Sequence, residues 1–460
     1  MAVTYRGGAP SNPLTQAGFM QSPDGRNWYR QGRVLALRAE ADKIEYVLKE
    51  DVLHGVAIQR EPVGGGLVRF SWATDHDPGD IVDQVRIAAR RQWGPRYAPK
   101  VGPDHLFGAD LDPVSGQPFD AGGPAGFPRA PRDGEPDELE PRTAGETSGD
   151  GVVVGVVDTG VARGAATGPE AQDWLEGAFL ARPDDIDELV HEGKLGNQAG
   201  HGTFITGIVL QHAPAATVRI ARGLHANGIA DGSEVAVAID RLARSGIDIL
   251  SLSLGCFTRN DASSMAIEDA LRRLDRDIVV VAAAGNLHTG RPGEGDDDDG
   301  HGHSHPPVTT PREFWPAALP WVFSVGALET SGLSPRLADF SNIGGWVTAY
   351  TQGVDVLSTF LTLDDHRDPM EPKQFNGFAY WSGTSFAAPA VAGAIAARMQ
   401  QDHVTAHEAA DRIRADGVDY PRLGLGAAGS TMGTVLRLEP KVRARRRFQA
   451  LALERELASY

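Results

Sequence analysis

Four short apolar segments in the middle of the chain most constrain its fold. They are GVVVGVV (151–157), IDILSL (247–252), IVVVAAA (278–284) and VFSVGAL (322–328). Continuous apolar runs of this length are typical of parallel strands that are covered on both faces. Helical patterns lie between them, in SEVAVAIDRLARSG (233–246) and SSMAIEDALRRLD (263–275). This alternation predicts an α/β fold with a doubly wound, mostly parallel sheet.

The first apolar segment leads directly into Asp158, in the sequence DTG. Open α/β sheets place their sites at the carboxyl ends of the strands, where an aspartate can accept a hydrogen bond from an imidazole. DTG is also typical of aspartic proteases, but their chemistry needs a second such loop, and the chain contains no second DTG or DSG. Taken alone, a turn-forming aspartate is an equally good interpretation.

Two further segments place a reactive side chain at the start of a helix. His201 begins the apolar helical pattern in GHGTFITGIVL (200–210), and Ser385 lies at the first turn of WSGTSFAAPAVAGAIAARM (381–399). A serine in that position has its backbone N–H and the positive end of the helix dipole beside an incoming carbonyl oxygen. The alternatives are an ordinary polar histidine and a serine that only caps its helix.

The three residues follow one another in the order Asp158, His201, Ser385. This order differs between families of serine hydrolases. It is the subtilisin order and differs from those of chymotrypsin and the α/β-hydrolases. GTSFA also lacks the second glycine of the G-x-S-x-G elbow of α/β-hydrolases. The chain therefore resembles the subtilisin-like serine protease family over about residues 150–400. Further similar segments follow in the family order: SLSLG (251–255), VVAAAGN (280–286), FWPAALPWVFSVGAL (314–328) and LADFSNIG (337–344).

The resemblance implies a serine endopeptidase that acts on peptides or proteins and needs no cofactor. Ser385 would attack the scissile carbonyl, His201 would take up and return the proton, and Asp158 would orient the imidazole. The resemblance assigns the side chain of Asn286 to the oxyanion hole, together with the backbone N–H of Ser385.

The resemblance also implies where the substrate lies. An extended substrate would pair as an added strand with one segment of the cleft, formed by Ser253, Leu254 and Gly255. The walls of the primary specificity pocket would be Gly255, Ala283, Ala284 and Gly285.

Two expectations about metals follow from departures from the family pattern. The calcium loop that often follows the family's HGT helix has no room here, because the helix runs directly into HAPAATVRIA (212–221). The tract DDDDGHGHSHPP (296–307) could bind a transition metal through His301, His303 and His305. Its composition favours a solvated insertion instead, and we predict no metal site.

Cys256 directly follows Gly255 and is the only cysteine of the chain, so an internal disulfide is excluded. We interpret Cys256 as a buried structural thiol, since free cysteines are commonly buried. A reactive thiol beside the specificity pocket is the alternative.

Charge and hydropathy narrow the range of partners. The net charge of −17 argues against a nucleic-acid partner, because binding to phosphates needs a basic face. No uninterrupted apolar run approaches about 18 residues, so we expect no membrane partner. The N-terminal sequence shows no signal-peptide pattern, which favours a cytoplasmic location.

Composition divides the chain into four regions. Residues 1–108 show strand and helix patterns in the order β-α-β-β-α-β, which predicts a small α+β ferredoxin-like domain. Residues 109–150 form a linker rich in Pro, Gly and acidic residues. We expect the catalytic domain over 151–400 and a helical C-terminal extension over 401–460, where KVRARRR (441–447) forms a basic helix face.

The N-terminal region also resembles the propeptide domains that precede subtilisin-like catalytic domains. Such domains lay their carboxyl tail through the active site, which predicts inhibition by residues near Ala109 and activation by cleavage around 105–115. A fused domain without an inhibitory role is the alternative. For the whole chain, the alternatives are a processing protease specialised for one partner protein and a non-catalytic binding module with the same fold.

Overall fold

The structure is a computed structural model. It describes residues 14, 18–23, 27–64, 66–109, 126–142, 145–175, 179–180, 182, 185–191, 194–287, 312–330, 335–365, 373–419, 434–438, 440–442 and 444–445.

The N-terminal region folds into an antiparallel sheet with two helices. Its elements are β1 (Phe19–Gln21), β2 (Trp28–Leu37), α1 (Ala41–Val47), β3 (Gln59–Gly64), β4 (Leu67–Ser71), α2 (Pro78–Trp93) and β5 (Val101–Gly108). The sheet order is β5-β2-β4-β3, with β1 added beside β2. From β2 to β5 the chain follows the β-α-β-β-α-β order of ferredoxin-like domains. Asp77 caps α2, and Pro78 occupies its first turn, where a missing N–H costs nothing.

The remaining described elements alternate between strands and helices. They are β6 (Glu138–Leu139), β7 (Val153–Asp158), α3 (Pro169–Leu175), β8 (Phe179–Leu180), β9 (Val190–His191), β10 (Lys194–Leu195), α4 (His201–His212), β11 (Thr217–Arg222), β12 (Ile229–Asp231), α5 (Gly232–Ala243), β13 (Ile249–Leu252), α6 (Met265–Arg272), β14 (Val279–Ala283), β15 (Phe323–Glu329), β16 (Arg336–Leu337), β17 (Ala349–Gln352), β18 (Val356–Asp365), β19 (Lys373–Trp381), α7 (Thr384–Asp402), α8 (Ala406–Asp416), β20 (Val418–Asp419), β21 (Thr434–Val435) and β22 (Ala444–Arg445).

A central sheet with the order β20-β21-β17-β15-β14-β13-β7-β11-β8 forms the frame of the molecule. All neighbouring pairs from β21 to β8 are parallel, and β20 and β16 are antiparallel additions. Helices α4 and α7 share a hydrophobic core with one face of the sheet, and α5 and α6 share another with the opposite face. The predicted doubly wound α/β fold is confirmed.

The strand order explains where reactive residues meet. Asp158 is the last residue of β7, and its sheet neighbours β11 and β13 run parallel to it. Because parallel strands end at the same edge, the segments that follow β7, β13 and β14 converge there. Helix α7 packs behind the sheet, and its N-terminus points to this edge with Ser385 as its second residue.

The structure differs from the expected C-terminal boundary at residue 400. Helix α7 continues to Asp402, and β21 (Thr434–Val435) then extends the central sheet beside β17. Part of the region expected to be a helical extension is therefore strand, because its apolar Val435 and Leu436 complete the buried sheet edge. Within the described part of the chain, no helix has the length and apolarity needed to cross a membrane. The predicted basic helix face over 441–447 is wrong where it is described, because Ala444–Arg445 is strand β22 and pairs with β6. Residues 443, 446 and 447 and the whole tract 296–307 lie outside the described residues.

Candidate active site

Asp158 and His201 form a buried hydrogen-bonded pair at the edge of the central sheet. His201 Nδ1 lies 2.7 Å from Asp158 Oδ1, and neither side chain is more than 2% exposed. A carboxylate oxygen accepts, so the Nδ1–H donates, which in a neutral imidazole leaves the lone pair on Nε2. Asp158 Oδ1 also accepts the N–H of Thr159 at 2.8 Å, which fixes the carboxylate plane.

Aromatic side chains hold the imidazole in place and bring it next to the start of α7. The His201 ring lies 5.4 Å from the Trp381 ring, edge to face, and 5.4 Å from the ring of Phe386. Phe386 directly follows Ser385 in α7. The ring of the residue after the predicted nucleophile therefore lies against the ring of the predicted base.

Ser385 is tied to the neighbouring strand end by Ser253. The Ser253 hydroxyl donates to the carbonyl oxygen of Ser385 at 2.7 Å, and the Ser385 hydroxyl lies 3.5 Å from the carbonyl oxygen of Ser253. Among the described residues, the hydroxyl of Ser385 has no hydrogen bond to His201. Catalytic hydrogen bonds often tighten only when a substrate is bound.

Thr384 connects Asn286 to the start of α7. The Oδ1 of Asn286 accepts the backbone N–H of Thr384 at 2.9 Å and its hydroxyl at 2.8 Å. Thr384 Oγ1 in turn accepts the N–H of Gly285 at 3.0 Å. Because a backbone N–H can only donate, the atom it meets must be the amide oxygen of Asn286. The Asn286 NH₂ group is thereby left as the donor of this side chain.

Asn342 supports the same loop from the other side. Its Nδ2 donates to the carbonyl oxygen of Ala284 at 2.8 Å, its Oδ1 accepts from Leu287 at 3.0 Å, and its backbone N–H donates to Gly285 at 2.9 Å. These bonds fix the segment that carries Asn286. Asn342 lies in the LADFSNIG segment, but its role was not predicted from the sequence.

Comparison with known proteins identifies the family. The model of the subtilase family, Peptidase_S8, matches residues 149–416, more than half of the chain. The chain belongs to the subtilase family.

Similar proteins support this membership. The chain is 31% identical to a thermophilic serine proteinase of Bacillus sp. (strain AK1) over 287 residues, covering 59% of either chain. It is 27% identical to subtilisin DY of Bacillus licheniformis over 257 residues, 54% of this chain and 76% of that protein. The chain thus spans about three fifths of the length of the thermophilic proteinase.

The fold of fervidolysin from Fervidobacterium pennivorans, a keratinolytic enzyme related to subtilisin, superposes with a TM-score of 0.55 at 20% identity. The superposition covers 89% of this chain and 60% of fervidolysin. The superposed part is longer than residues 149–460, which are the region matched by the family model and everything after it. The shared fold therefore includes part of the N-terminal region.

Residues near the N-terminal sheet occupy the cleft that the subtilase resemblance assigns to substrate. Gly108, at the end of β5, exchanges two backbone hydrogen bonds with Gly255, at 3.0 and 2.9 Å. The N–H of Ala109 donates to the carbonyl oxygen of Gly228 at 3.1 Å. Strand β5 also pairs with β12 of the subtilase domain. The chain thus runs as an added strand between the segments that contain Gly228 and Gly255.

The remaining predicted site residues lie at the ends of two neighbouring strands, and their role as pocket walls stays a prediction. Ser253, Leu254 and Gly255 follow β13. Ala283 is the last residue of β14, its parallel neighbour, and Ala284 and Gly285 follow it. All six are buried. Cys256 is buried too, and burial raises the pKa of its thiol. Its thiol is therefore not activated in this state of the molecule.

The connection between α4 and β11 comprises residues 213–216. The chain therefore passes from helix to strand without the longer loop that often follows this helix in the family. No three or more His, Cys, Asp or Glu side chains are grouped to hold a metal ion in the described ranges. His301, His303 and His305 lie outside those ranges.

Asp187, whose role was not predicted from the sequence, binds a chain neighbour of each residue in the Asp158–His201 pair. Its Oδ2 accepts the hydroxyl of Thr159 at 2.9 Å and the N–H of Gly200 at 2.8 Å, and its Oδ1 accepts from Leu189 at 2.9 Å. Thr159 follows Asp158, and Gly200 precedes His201. Burial raises the pKa of Asp187 to about 6. The sequence carries little signal for it, because several other acidic residues surround it in 183–192.

We predict that Asp187→Asn changes the pH dependence of stability. A carboxyl whose pKa is raised on folding stabilises the fold below its unfolded pKa, and this contribution is lost as pH rises to about 6. Each tenfold change in proton affinity between the folded and unfolded states corresponds to roughly 1.4 kcal/mol of this stability. The measurement is the thermal unfolding midpoint of both proteins from pH 4 to 7. The wild type should lose stability relative to the variant over this range; parallel curves would contradict the prediction.

Proposed function

We propose that the chain is a serine endopeptidase whose catalytic triad is Asp158, His201 and Ser385. The observation that carries the proposal is the buried 2.7 Å hydrogen bond between Asp158 and His201, beside the helix start that holds Ser385. Membership of the subtilase family and the order of the three residues agree with it.

Acylation begins when the hydroxyl oxygen of Ser385 attacks the scissile carbonyl carbon. His201 Nε2 takes the hydroxyl proton and then gives it to the leaving amine, which breaks the C–N bond. Asp158 keeps the other ring proton on Nδ1 and stabilises the imidazolium. Water then attacks the acyl-enzyme in the reverse sense and releases the acid.

The negative charge on the carbonyl oxygen is stabilised by two N–H donors. One is the Nδ2 amide of Asn286, whose orientation is set by Thr384. The other is the backbone N–H of Ser385, one of the first N–H groups of α7, which have no partner inside the helix. These donors are held before substrate arrives, so little reorganisation is needed in the transition state.

The substrate is a peptide or protein that adds a strand to the cleft at Gly255, as β5 does at its end. Since Gly108 already uses the N–H and the carbonyl of Gly255, the N-terminal region competes with substrate. We propose that residues 1–108 form a propeptide-like inhibitory domain, that residues near Ala109 occupy the cleft, and that cleavage around 105–115 releases activity. Nucleic acid and membranes are not proposed as partners, and the cytoplasmic location remains a prediction.

A buried ionic cluster docks the N-terminal sheet on the subtilase domain. Arg33 of β2 pairs with Asp104 of β5 at 2.9 Å and with Asp231 of β12. Asp104 accepts two hydrogen bonds from Ser233 at the start of α5, both at 2.9 Å. Burial raises the pKa of Asp104 to about 6 even beside the guanidinium of Arg33. Removal of Arg33 would leave the buried Asp104 without its cation, whereas Asp231 would keep its ion pair with Arg30 at 2.7 Å.

We predict that Ser385→Ala abolishes peptide hydrolysis and leaves the fold intact, since alanine fits the same helix position. The expected loss in turnover is on the order of 10⁶, the size measured for the triad serine of subtilisin, another member of the family. The measurement is turnover of a peptide substrate by purified protein, with unfolding midpoints as a control for folding. Near-normal turnover of Ser385→Ala would overturn the triad.

We predict that Asn286→Ala lowers turnover roughly 10²–10³-fold with little change in substrate affinity.

We predict that Arg33→Met weakens docking of the N-terminal region and raises the peptidase activity of the full-length chain. Leaving a buried carboxylate unpaired costs roughly 3–5 kcal/mol. The matched control is Arg60→Met, because Arg60 pairs with Asp42 and Glu45 in the exposed part of the same domain. The measurement is the initial rate of peptide hydrolysis. Equal rates for both variants would contradict the inhibitory docking.

A further inference from the structure

The ring of Phe314 lies between the two segments that form the walls of the primary specificity pocket. A Cβ atom added to Gly255 would overlap the Phe314 ring, and a Cβ added to Gly285 would come within 3.0 Å of it. Gly255 belongs to the first wall and Gly285 to the second. Both glycines therefore face one phenylalanine ring, which spans the gap between them.

Neighbouring contacts hold this ring in position. Trp315, the next residue, exchanges backbone hydrogen bonds of 2.9 and 3.0 Å with Cys256, the residue after Gly255. The Phe314 ring packs edge to face against Phe257, with ring centroids 5.3 Å apart, and Phe314 is 6% exposed. The Phe257 ring is in turn covered by the guanidinium of Arg312 at 4.7 Å. The ring is thus part of the packed interior, and its chain segment is bonded to the residue that follows the pocket-wall residue Gly255.

We propose that Phe314 fills the depth of the primary specificity pocket and restricts the residue before the scissile bond to a small side chain, such as Gly, Ala or Ser. This inference rests on the proposed function, since it assigns the substrate class of that site. A long or aromatic side chain would have to displace a buried ring that contacts Gly255, Gly285 and Phe257 together. Packed interiors resist such insertion.

The size of the selectivity follows from the same packing. A single methylene in a hydrophobic pocket changes specificity by roughly 10–200-fold. Leucine or phenylalanine before the scissile bond adds several carbons over alanine, so we expect peptides with alanine to be cleaved at least about tenfold more efficiently. The ring also requires glycine at position 255, because a side chain there would collide with it, whereas at Gly285 the φ of +94° and Asn342 Nδ2, 2.5 Å from an added Cβ, favour glycine as well.

The test is kcat/KM of the wild-type chain, after limited proteolysis within residues 105–115 has relieved the proposed inhibition, on peptides that differ only in the residue before the scissile bond: Gly, Ala, Leu, Phe or Lys. A fluorophosphonate probe, which reacts with an activated serine, is applied in parallel. Alanine preferred over leucine and phenylalanine supports the proposal. Equal or better cleavage after leucine or phenylalanine overturns it, as does labelling of Ser385 with no peptide cleaved.

Absence of both labelling and hydrolysis would instead overturn the proposed function, and the inference would fall with it.

Phe314→Ala provides the second measurement, because removal of the ring opens the pocket. We expect its ratio of phenylalanine to alanine cleavage to rise at least about tenfold over wild type. Phe375→Ala is the matched control, since Phe375 is a buried phenylalanine of β19 that packs on Phe360 instead. An unchanged ratio in a folded Phe314→Ala variant would contradict the proposal.

Discussion

The buried hydroxyl of Thr384 joins the two parts of the site on which the proposed chemistry depends. It accepts from Gly285, donates to Asn286, and belongs to the residue before Ser385. The end of β14 and the start of α7 are thereby held at a fixed separation. A proposed nucleophile and its proposed oxyanion donor come from segments about a hundred residues apart in the chain. The packing of α7 behind the sheet makes this connection possible, because every residue from Thr384 to Gly393 is buried.

The other side of the site depends on a carboxylate rather than a hydroxyl. Asp187 binds the residue after Asp158 and the residue before His201, so one buried acid sets the approach of the hydrogen-bonded pair. The cleft itself depends on backbone groups. The N–H and carbonyl of Gly255 are both bonded to Gly108. In the proposed function, a substrate would need these same backbone groups, so its binding would compete with docking of the N-terminal sheet.

The parallel sheet was predictable because its strands are continuous apolar runs, and β7, β13, β14 and β15 lie where those runs are. The residues of the proposed triad could be selected from the sequence because each stands at a strand or helix end in a recognisable motif. Asp187 and Phe314 were not predictable in this way. Asp187 acts through hydrogen bonds to residues in two other segments, and Phe314 through the gap between two glycines. Both relations exist only after folding. The C-terminal boundary was misplaced because Thr434–Val435 is too short to show a strand period but completes a sheet edge.

The sharpest test of Ser385 as an activated nucleophile is the site of covalent modification by a fluorophosphonate. The folded chain, and a fragment that begins at residue 110, are treated with the probe and mapped by mass spectrometry of peptides. We expect Ser385 to carry the phosphonyl group, and unfolding of the protein before treatment to abolish the modification. If folded protein in both forms leaves Ser385 unmodified, Ser385 is not an activated nucleophile and the proposed triad is contradicted.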